Sequence, residues 1–588
     1  MSQTSSSHHT PSAPSPAAAP LLPITISISG HRDIANPQAV RSQLQRVLQD
    51  IRNEFEHTPL QALSPLAEGA DRLFAETCLE AGLPLDVVLP LPQAIYEQDF
   101  PQTVAEFRSL LARARHIGTL PFVGNNDAQT VTHDPDARNL QYAQVGFHVA
   151  SRAQILIAVW DGQPARGLGG TAQVVHIRLA GHLQEEVTGF TSMAYFLQPS
   201  ALDTPPEGLV CWIQTRRSGQ HGSADAEAPR WLTSPKDLEG PFRGHMHGPV
   251  REQLEELDTY NGQLHRFWEK ASASVREEIL NGKVVQHMEG ASLAQQVYRQ
   301  HLAADALANA NMQNVRAQFK EIFLLAGGMA ATFEIWAHVW PTWYVLLVYL
   351  VLIGVIGWRI RGLRRTEANE HAVDWRVLAE GLRIQAFWIA AGIPDPVVKH
   401  YMRRHGQTMR WVRTALSGIF PVLPDTTVCV HQAVLDHWIE DQYGYFQRSV
   451  QKRSAIINQL LSSSAVFYAL AVIMAIGVFV ASIPIVGLIG EGDSPVKGGL
   501  IATLGLLPAL SGLLASYIEF SGYKDDVREH TRMAQLFDRA KAASTRLLEA
   551  RDARSFQNLV RDLGQEALRE QADWALLHKS HELEIPKG

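Results

Sequence analysis

The stretch Ile155-Leu156-Ile157-Ala158-Val159-Trp160 decides the fold of the first part of this chain. A continuous apolar run rich in β-branched residues is typical of a strand buried on both faces of a parallel sheet. Asp161 and Gly162 end the run, and the glycine-rich turn at 167–171 precedes a helical pattern. The stretch therefore predicts a strand–turn–helix unit of an α/β domain.

Shorter strands and amphipathic helices are predicted on both sides of this run. The strands cover 24–28, 61–63, 84–89 and 208–214, and helices lie between them, among others at 37–55 and 138–150. This alternation predicts a Rossmann-like parallel sheet over residues 21–215.

Glycine follows three of the predicted strands, at Gly30, at Gly69 and in the turn 167–171. In open parallel sheets, ligands bind beyond the carboxyl ends of the strands. Helix N-termini at that edge present N–H groups and a partial positive charge that suit phosphate. The three turns together predict a nucleotide pocket, with Arg32 available to neutralise a phosphate. Asp161 either binds a ribose hydroxyl or serves as a turn residue.

Three motifs in this region resemble those of the SLOG superfamily. They are 29–33 (SGHRD), 66–72 (LAEGADR) and 157–162 (IAVWDG), which continues to 169–172 (GGTA). This Rossmann-like group contains the Lonely Guy phosphoribohydrolases, the DNA-processing protein A fold and the cytosolic sensor region of TRPM channels. The resemblance implies that the following residues bind the ligand: Gly30, His31, Arg32, Asp33, Glu68, Gly69, Asp71, Arg138, Tyr142, Trp160, Asp161, Gly162, Gly169, Gly170 and Thr171. For Tyr142, packing inside the domain is the alternative.

One departure from the family pattern bears on catalysis. Hydrolytic members carry a glutamate three residues after the Gly-Thr pair, and Val174 stands at that position here. Without that carboxylate the general acid or base of a hydrolase is missing. The resemblance therefore implies a sensor with no catalytic residue and no cofactor other than a nucleotide-type ligand. Glu68 remains as a substitute carboxylate, which keeps a hydrolase as the alternative.

Four long apolar runs follow in the second half, at 322–340, 343–358, 462–490 and 498–518. A helix needs about 20 mainly apolar residues to cross a bilayer core. We therefore expect an all-α region with four transmembrane helices in two hairpins, at 321–360 and 462–520. A buried soluble hairpin is the alternative for the first pair, because Glu334 is costly inside a membrane.

Glu334 and His338 are four residues apart and share one helical face. They are candidates for lining a cation path, and a position at headgroup depth is the alternative. Basic residues gather at the proximal ends of the runs, for example Arg316 and Lys320 before the first and Lys524 and Arg528 after the last. This asymmetry predicts that the large soluble segments and both termini face the cytoplasm.

The predicted organisation is as follows: a disordered tail without a secretory signal (1–20), the SLOG-like domain (21–215), a loop and helical stalk (216–320), hairpin 1 (321–360), a cytoplasmic helical segment (361–461), hairpin 2 (462–520) and C-terminal cytoplasmic helices (521–588). The net charge of −7 argues against nucleic acid as a partner. Cys78, Cys211 and Cys429 are predicted to be free thiols in a reducing compartment. The cluster His245-Met246-His247 is interpreted as a solvated loop, so no metal site is expected.

The segment 374–383 (DWRVLAEGLR) resembles membrane-proximal segments of SLOG-associated membrane effectors of bacterial conflict systems. Together, the two resemblances imply a sensor anchored in the inner membrane of a bacterium. It binds a nucleotide second messenger, oligomerises with copies of itself, and permeabilises or gates the bilayer in antiviral defence. A membrane-tethered hydrolase of nucleotides or NAD-like compounds and a ligand-regulated channel or transporter are the alternatives.

Overall fold

The computed structural model of this protein describes residues 18–165, 167–181, 207–218, 228–240, 243–365, 368–401, 409–419, 421–422, 429–481 and 495–580. Contacts divide the chain into two compact units, 1–282 with 417–423, and 283–416 with 424–588. Most of the predicted disordered tail, Arg166 of the glycine-rich turn and the end of the third apolar run lie outside the described residues.

Within the described residues, the first unit contains one seven-stranded sheet. Its strands are β1 (Ile24–Gly30), β2 (Leu60–Ser64), β3 (Leu85–Leu89), β4 (His116–Thr119), β5 (Ile155–Trp160), β6 (Val210–Gln214) and β7 (Arg230–Leu232). The spatial order is β4-β3-β2-β1-β5-β6-β7, and only the pairing of β6 with β7 is antiparallel. The predicted Rossmann-like parallel sheet is confirmed, and the structure adds the edge strands β4 and β7.

The order of the strands places a crevice beside β1 and β5. From β1 the chain runs outward through β2 and β3 to β4, and then returns to β5 on the other side of β1. The two central strands pair in parallel, with Ile28 beside Ile157 and Gly30 beside Val159. Every residue of β5 is buried, as its continuous apolar sequence predicts. Ligands bind at such a reversal of strand order, beyond the carboxyl ends of the strands.

Nine α-helices of the first unit are described: α1 (Pro37–Glu54), α2 (Ala70–Glu80), α3 (Gln93–Tyr96), α4 (Val104–Leu111), α5 (Ala128–His133), α6 (Pro135–Arg152), α7 (Thr171–Ala180), α8 (Pro249–Lys270) and α9 (Ala273–Asn281). The Asn261 amide on α8 accepts a hydrogen bond from the backbone N–H of Leu22 (3.0 Å) and donates one to its carbonyl (2.9 Å). The helix α8 thus packs within the first unit, and the predicted loop and stalk at 216–320 is divided between the two units.

A short segment far along the chain also belongs to the first unit. The Gly418 carbonyl accepts hydrogen bonds from Thr25 Oγ1 (2.7 Å) and Gln61 Nε2 (2.9 Å), near the amino ends of β1 and β2. The Pro421 carbonyl lies 2.7 Å from His148 Nε2. Residues around Gly418 and Pro421 therefore contact the end of the sheet opposite the crevice, although sequence alone places them in the helical segment 361–461.

The second unit is all-helical over its described residues. Its helices are α10 (Lys283–His287), α11 (Ser292–His338), α12 (Trp343–Arg365), α13 (Ala368–Ala390), α14 (Arg410–Ser417), α15 (His431–Val434), α16 (Glu440–Ala481), α17 (Pro495–Phe520), α18 (Tyr523–Glu549) and α19 (Ala553–Ser580). Helix α14 ends at the segment that joins the first unit.

Three helical stretches among the described residues are long and apolar enough to cross a membrane. They lie within Trp343–Gly362, His431–Val480 and Val496–Glu549, and at most 6% of each apolar stretch is buried inside the protein. Apolar helical surface of this extent requires apolar surroundings, which a bilayer core provides. The protein is therefore a membrane protein by this criterion. The predicted count of four spans is not confirmed, because α11, which holds the first run, is not among the stretches that meet this criterion.

Candidate functional site

A cavity of about 410 Å³ lies at the carboxyl ends of β1 and β5, where the strand order reverses. Its volume is within the range of small-molecule sites. Nine residues predicted from the sequence line it: Gly30, His31, Arg32, Asp33, Asp71, Tyr142, Gly169, Gly170 and Thr171. The structure therefore brings the first and third predicted turns together around one cavity.

The loop after β1 forms one wall of this cavity. A Cβ at Gly30 would lie 2.4 Å from the Ala70 Cβ and 2.9 Å from the Val159 Cβ, so only glycine lets the three elements meet this closely. The next residue, His31, is buried, and its Nε2 lies 3.0 Å from the Asp161 backbone nitrogen and 3.2 Å from its Oδ1. These contacts fix the loop that carries the exposed Arg32 and Asp33.

The glycine-rich turn forms the opposite wall. Gly169 has a φ of +75°, and a Cβ there would lie 2.5 Å from the Ala143 Cα on α6. Its backbone N–H donates to Gln173 Oε1 (2.8 Å). Gly170 caps α7, whose first residue, Thr171, lines the cavity. The amino terminus of α7 thus gives this wall a partial positive charge that favours an anionic group.

Two polar groups at this cavity are available to a ligand. The Arg32 guanidinium lies 5.2 Å from the centroid of the Tyr142 ring, and no ion-pair partner for Arg32 is found among the described residues. The Tyr142 hydroxyl is buried and lacks a hydrogen-bond partner within the same part of the chain. A buried hydroxyl without a partner carries a desolvation cost. Binding of a polar ligand removes that cost, and Arg32 supplies the charge for a phosphate.

Asp71 brings a buried carboxyl to the cavity. Its side chain is 7% exposed, and burial raises the pKa to about 7. The Ala67 N–H and the positive charges of Arg32 and Arg72 oppose that rise without cancelling it. Near neutral pH, the carboxyl is therefore present in both protonation states. A group in this condition can donate or accept a proton.

Three predicted residues on the second turn and on α6 do not line the cavity. Glu68 accepts a hydrogen bond from Thr103 Oγ1. A Cβ at Gly69 would lie 2.2 Å from the Arg32 carbonyl, so this glycine packs against the loop after β1. Arg138 forms an ion pair with Asp99 (2.7 Å). In this structure these residues make contacts within the first unit and do not face the cavity.

The residues after β5 also lie outside the cavity lining. Trp160 is buried and its Nε1 donates to the Gln163 carbonyl (2.8 Å). Asp161 Oδ1 accepts from the Gln163 N–H (3.1 Å), and its Oδ2 lies 3.5 Å from Arg217. A Cβ at Gly162 would lie 3.1 Å from the Trp212 ring. Of the two interpretations of Asp161, the contacts of its carboxylate match those of a turn and ion-pair residue.

Some lining residues were missed by sequence reasoning: Tyr96, Asn139, Gly146 and Arg217. Asn139 precedes Tyr142 by three residues on α6, so helical periodicity was a usable signal. Arg217 follows β6, and the rule applied to the other strand ends would have found it. No comparable signal points to Tyr96.

Val174, which stands where the SLOG-like pattern would have a glutamate, is closed to solvent. Val174 is 1% exposed and packs in the core beneath α7. A Cβ at Gly146 on α6 would lie 2.8 Å from Val174 Cγ2, so the two helices cross closely here. Val174 therefore contributes packing and no catalytic group.

Among the described residues, potential metal ligands are dispersed and two of the cysteines are buried. Among them, no group of three or more His, Cys, Asp or Glu side chains is arranged to hold a metal ion. The rings of His245 and His247 lie 6.2 Å apart. Cys78 and Cys211 are free and buried, and burial raises the pKa of both thiols.

The second predicted site lies on α11. His338 Nε2 and Glu334 Oε2 are 3.5 Å apart, which places the two side chains on one face as predicted. Gly505 of α17 lies against this pair, since a Cβ there would be 2.4 Å from Glu334 Oε1. The carboxylate is thus partly covered by a neighbouring helix.

Comparison with known proteins identifies no relative: no protein-family model, no curated protein and no solved structure matches this chain. The resemblance to the SLOG superfamily therefore stays a prediction that rests on the three motifs.

Proposed function

We propose that this protein is a membrane-anchored sensor and effector that binds a nucleotide-derived second messenger in a SLOG-like domain. Binding causes copies of the chain to associate and to permeabilise or gate the bacterial inner membrane. The context of antiviral defence rests on the resemblance of 374–383 to membrane effectors of conflict systems.

One observation carries the proposal. The cavity between β1 and β5 combines a cation, a buried hydroxyl and a helix amino terminus, on Arg32, Tyr142 and α7. Among the described residues, the cation has no ion-pair partner and the hydroxyl has no hydrogen-bond partner. Phosphate and ribose groups supply the negative charge and the hydrogen-bonding oxygens that these features lack. The same chain contains helices whose apolar surface is almost entirely unburied. A ligand site and a membrane on one polypeptide suit a ligand-dependent membrane response.

Helix α11 is proposed as a fourth span. It is connected to α12 by only a few residues, so the two helices form a hairpin. Its one carboxylate in the apolar stretch, Glu334, is paired with His338 and lies against Gly505 of a membrane-capable helix. Such pairing is how ionisable groups are accommodated at membrane depth. With four spans and basic residues at their proximal ends, both units and both termini face the cytoplasm.

The decisive experiment uses the full chain reconstituted into vesicles loaded with a self-quenching dye. A cyclic dinucleotide, ADP-ribose and NAD are added separately, and dye release and the unfolding temperature are recorded. A messenger that binds the folded state must raise its stability, by about 2.7 kcal/mol at 100 times Kd. The expected result is that one of these nucleotides raises the unfolding temperature and releases dye. If none of the three nucleotides raises the unfolding temperature or releases dye, the proposal is overturned.

A second candidate function, hydrolysis of the bound nucleotide, is favoured by Asp71. A buried carboxyl with a pKa of about 7 at a ligand cavity is suited to general acid or base catalysis. Product formation is measured by chromatography for the intact protein and for Asp71→Asn. Turnover that is lost in this variant while nucleotide binding persists would establish a membrane-tethered enzyme. Binding without turnover in either protein supports the sensor.

A further inference from the structure

A separate cavity of about 350 Å³ lies in the second unit, at the border of the membrane-capable helices. Its lining includes Phe319, three residues before the apolar run of α11 begins, and Phe520, the last residue of α17. It also includes residues of α18 and α19. The cavity therefore occupies the depth at which a bilayer changes from hydrocarbon to headgroups.

Aromatic rings form part of the lining of this cavity. The rings of Phe319 and Phe520 meet edge to face at 5.1 Å, and those of Tyr517 and Tyr523 lie 6.4 Å apart. Trp574 of α19 also lines the cavity. Aromatic faces of this kind bind both alkyl chains and cations, because the ring face carries negative charge.

The lining is also rich in acidic groups. Five carboxylates line the described cavity, with two arginines, Arg316 and Arg528. Three carboxylates have basic partners: Asp525 with Arg528 (3.8 Å), Asp526 with Arg453 (3.3 Å) and Glu529 with Arg532 (3.5 Å). For the other two, Glu570 and Asp573, no basic side chain lies within ion-pair distance among the described residues. The cavity thus has acidic groups that a cation would satisfy.

We propose that this cavity binds a phospholipid whose headgroup carries an ammonium group. The ammonium lies between Glu570, Asp573 and the aromatic faces. The phosphate lies at Arg316, for which no carboxylate lies within ion-pair distance in the described part of the chain. The acyl chains pass along Phe319 and Phe520 into the bilayer. The lipid thereby fills a cavity between α11, α17, α18 and α19. It holds the membrane-capable α17, and α11 as the proposed fourth span, against two helices outside the membrane.

The ionisation of Glu570 couples this binding to pH. Burial, together with Glu380 and Glu529, raises the pKa of Glu570 to about 8, while Arg376 and Arg383 act in the opposite direction. Arg453 of α16 and His530 of α18 line a second, polar cavity that also borders Glu570. An ammonium group binds more tightly to the ionised carboxylate. Affinity is therefore expected to increase as the pH rises through about 8.

The test uses the full chain in a maltoside detergent, without nucleotide, so its result does not depend on the proposed sensor function. Phosphatidylethanolamine, phosphatidylglycerol and free phosphoethanolamine are titrated separately, and the unfolding temperature is recorded. Phosphatidylethanolamine is expected to raise it at concentrations at which the other two do not. Equal shifts with phosphatidylglycerol would overturn the ammonium assignment. If free phosphoethanolamine raises the unfolding temperature equally, the site binds the headgroup alone and the assignment to a lipid is wrong.

A double variant, Glu570→Gln with Asp573→Asn, tests the residues. Its apparent affinity for phosphatidylethanolamine is expected to fall at least about tenfold, as for the loss of one charge-assisted contact. Glu566→Gln is the matched control, because Glu566 lies on the same helix, pairs with Arg569 and does not line the cavity. A double variant that binds as tightly as this control would contradict the proposal.

Discussion

The guanidinium of Arg32 lies over the Tyr142 ring, 5.2 Å from its centroid, at the cavity between β1 and β5. A cation held on an aromatic face keeps its N–H donors free for an anion. The hydroxyl of Tyr142 is buried and has no hydrogen-bond partner among the described residues. The pair thus presents one charged and one neutral donor to a ligand.

Replacing Arg32 by Gln is expected to weaken nucleotide binding without unfolding the protein, because the side chain is exposed. Loss of a charge-assisted hydrogen bond costs about 1.5–3 kcal/mol, or about 10-fold to 100-fold in Kd. The measurement is a titration of the unfolding temperature with the nucleotide that the vesicle screen selects. Arg41→Gln is the control, since Arg41 pairs with Glu76 (2.5 Å) on the surface away from the cavity. Equal weakening in both variants would remove Arg32 from the site.

The two glycines Gly169 and Gly167 give a matched pair for the fold of the glycine-rich turn. Gly169→Ala is expected to destabilise the first unit by about 2 kcal/mol or more, because alanine is strained at a φ of +75° and its Cβ meets the Ala143 backbone. At Gly167, a Cβ meets no described atom within 4 Å. Thermal unfolding of the full chain should therefore show a lower midpoint temperature for Gly169→Ala. The midpoint of Gly167→Ala should stay close to that of the intact protein.

Sequence reasoning found the sheet and the turns because both are local signals. The run at β5 is apolar at every position, and every residue of the strand is buried. Strand β4 gives no such signal, since only Gly118 of its four residues is buried. Similarly, a glycine after a strand predicts that another element packs closely against its backbone, without showing which element does so. Gly30 and Gly169 were found for this reason.

The roles of charged residues were less predictable, because partners distant in sequence decide them. The Asp161 carboxylate pairs with His31 and Arg217, and Glu68 accepts a hydrogen bond from Thr103. None of these pairings can be predicted from the positions of the two partners in the sequence. The same applies to Asp71, whose pKa depends on its burial among three-dimensional neighbours. Sequence therefore located the loops of the cavity and left open which of their carboxylates face it.

The buried Asp71 carboxyl makes stability depend on pH. Its pKa is about 7 in the folded protein and about 3.8 when exposed, so the folded state binds the proton more tightly. Its contribution is fully present below about pH 4 and is lost as the pH rises to about 7. Asp71→Asn mimics the neutral acid and should raise the unfolding temperature at pH 8 while leaving it nearly unchanged at pH 4.5. Asp33→Asn, at an exposed lining residue, keeps the buried carboxyl and should retain the pH dependence of the intact protein. An identical pH slope in Asp71→Asn would contradict the assignment.

The close approach of α17 to the end of α11 gives the last prediction. A Cβ at Gly498 would lie 1.9 Å from the His338 carbonyl oxygen, so Gly498→Ala must push the two helices apart. Small residues at such crossings are what allow membrane helices to pack closely. The adjacent Gly499 is the control, because a Cβ there meets no described atom within 4 Å. Gly498→Ala is expected to lower the unfolding temperature of the vesicle-reconstituted protein and to release dye without nucleotide, whereas Gly499→Ala should do neither. If neither variant releases dye or lowers the unfolding temperature, the contact between α11 and α17 does not hold the membrane helices closed.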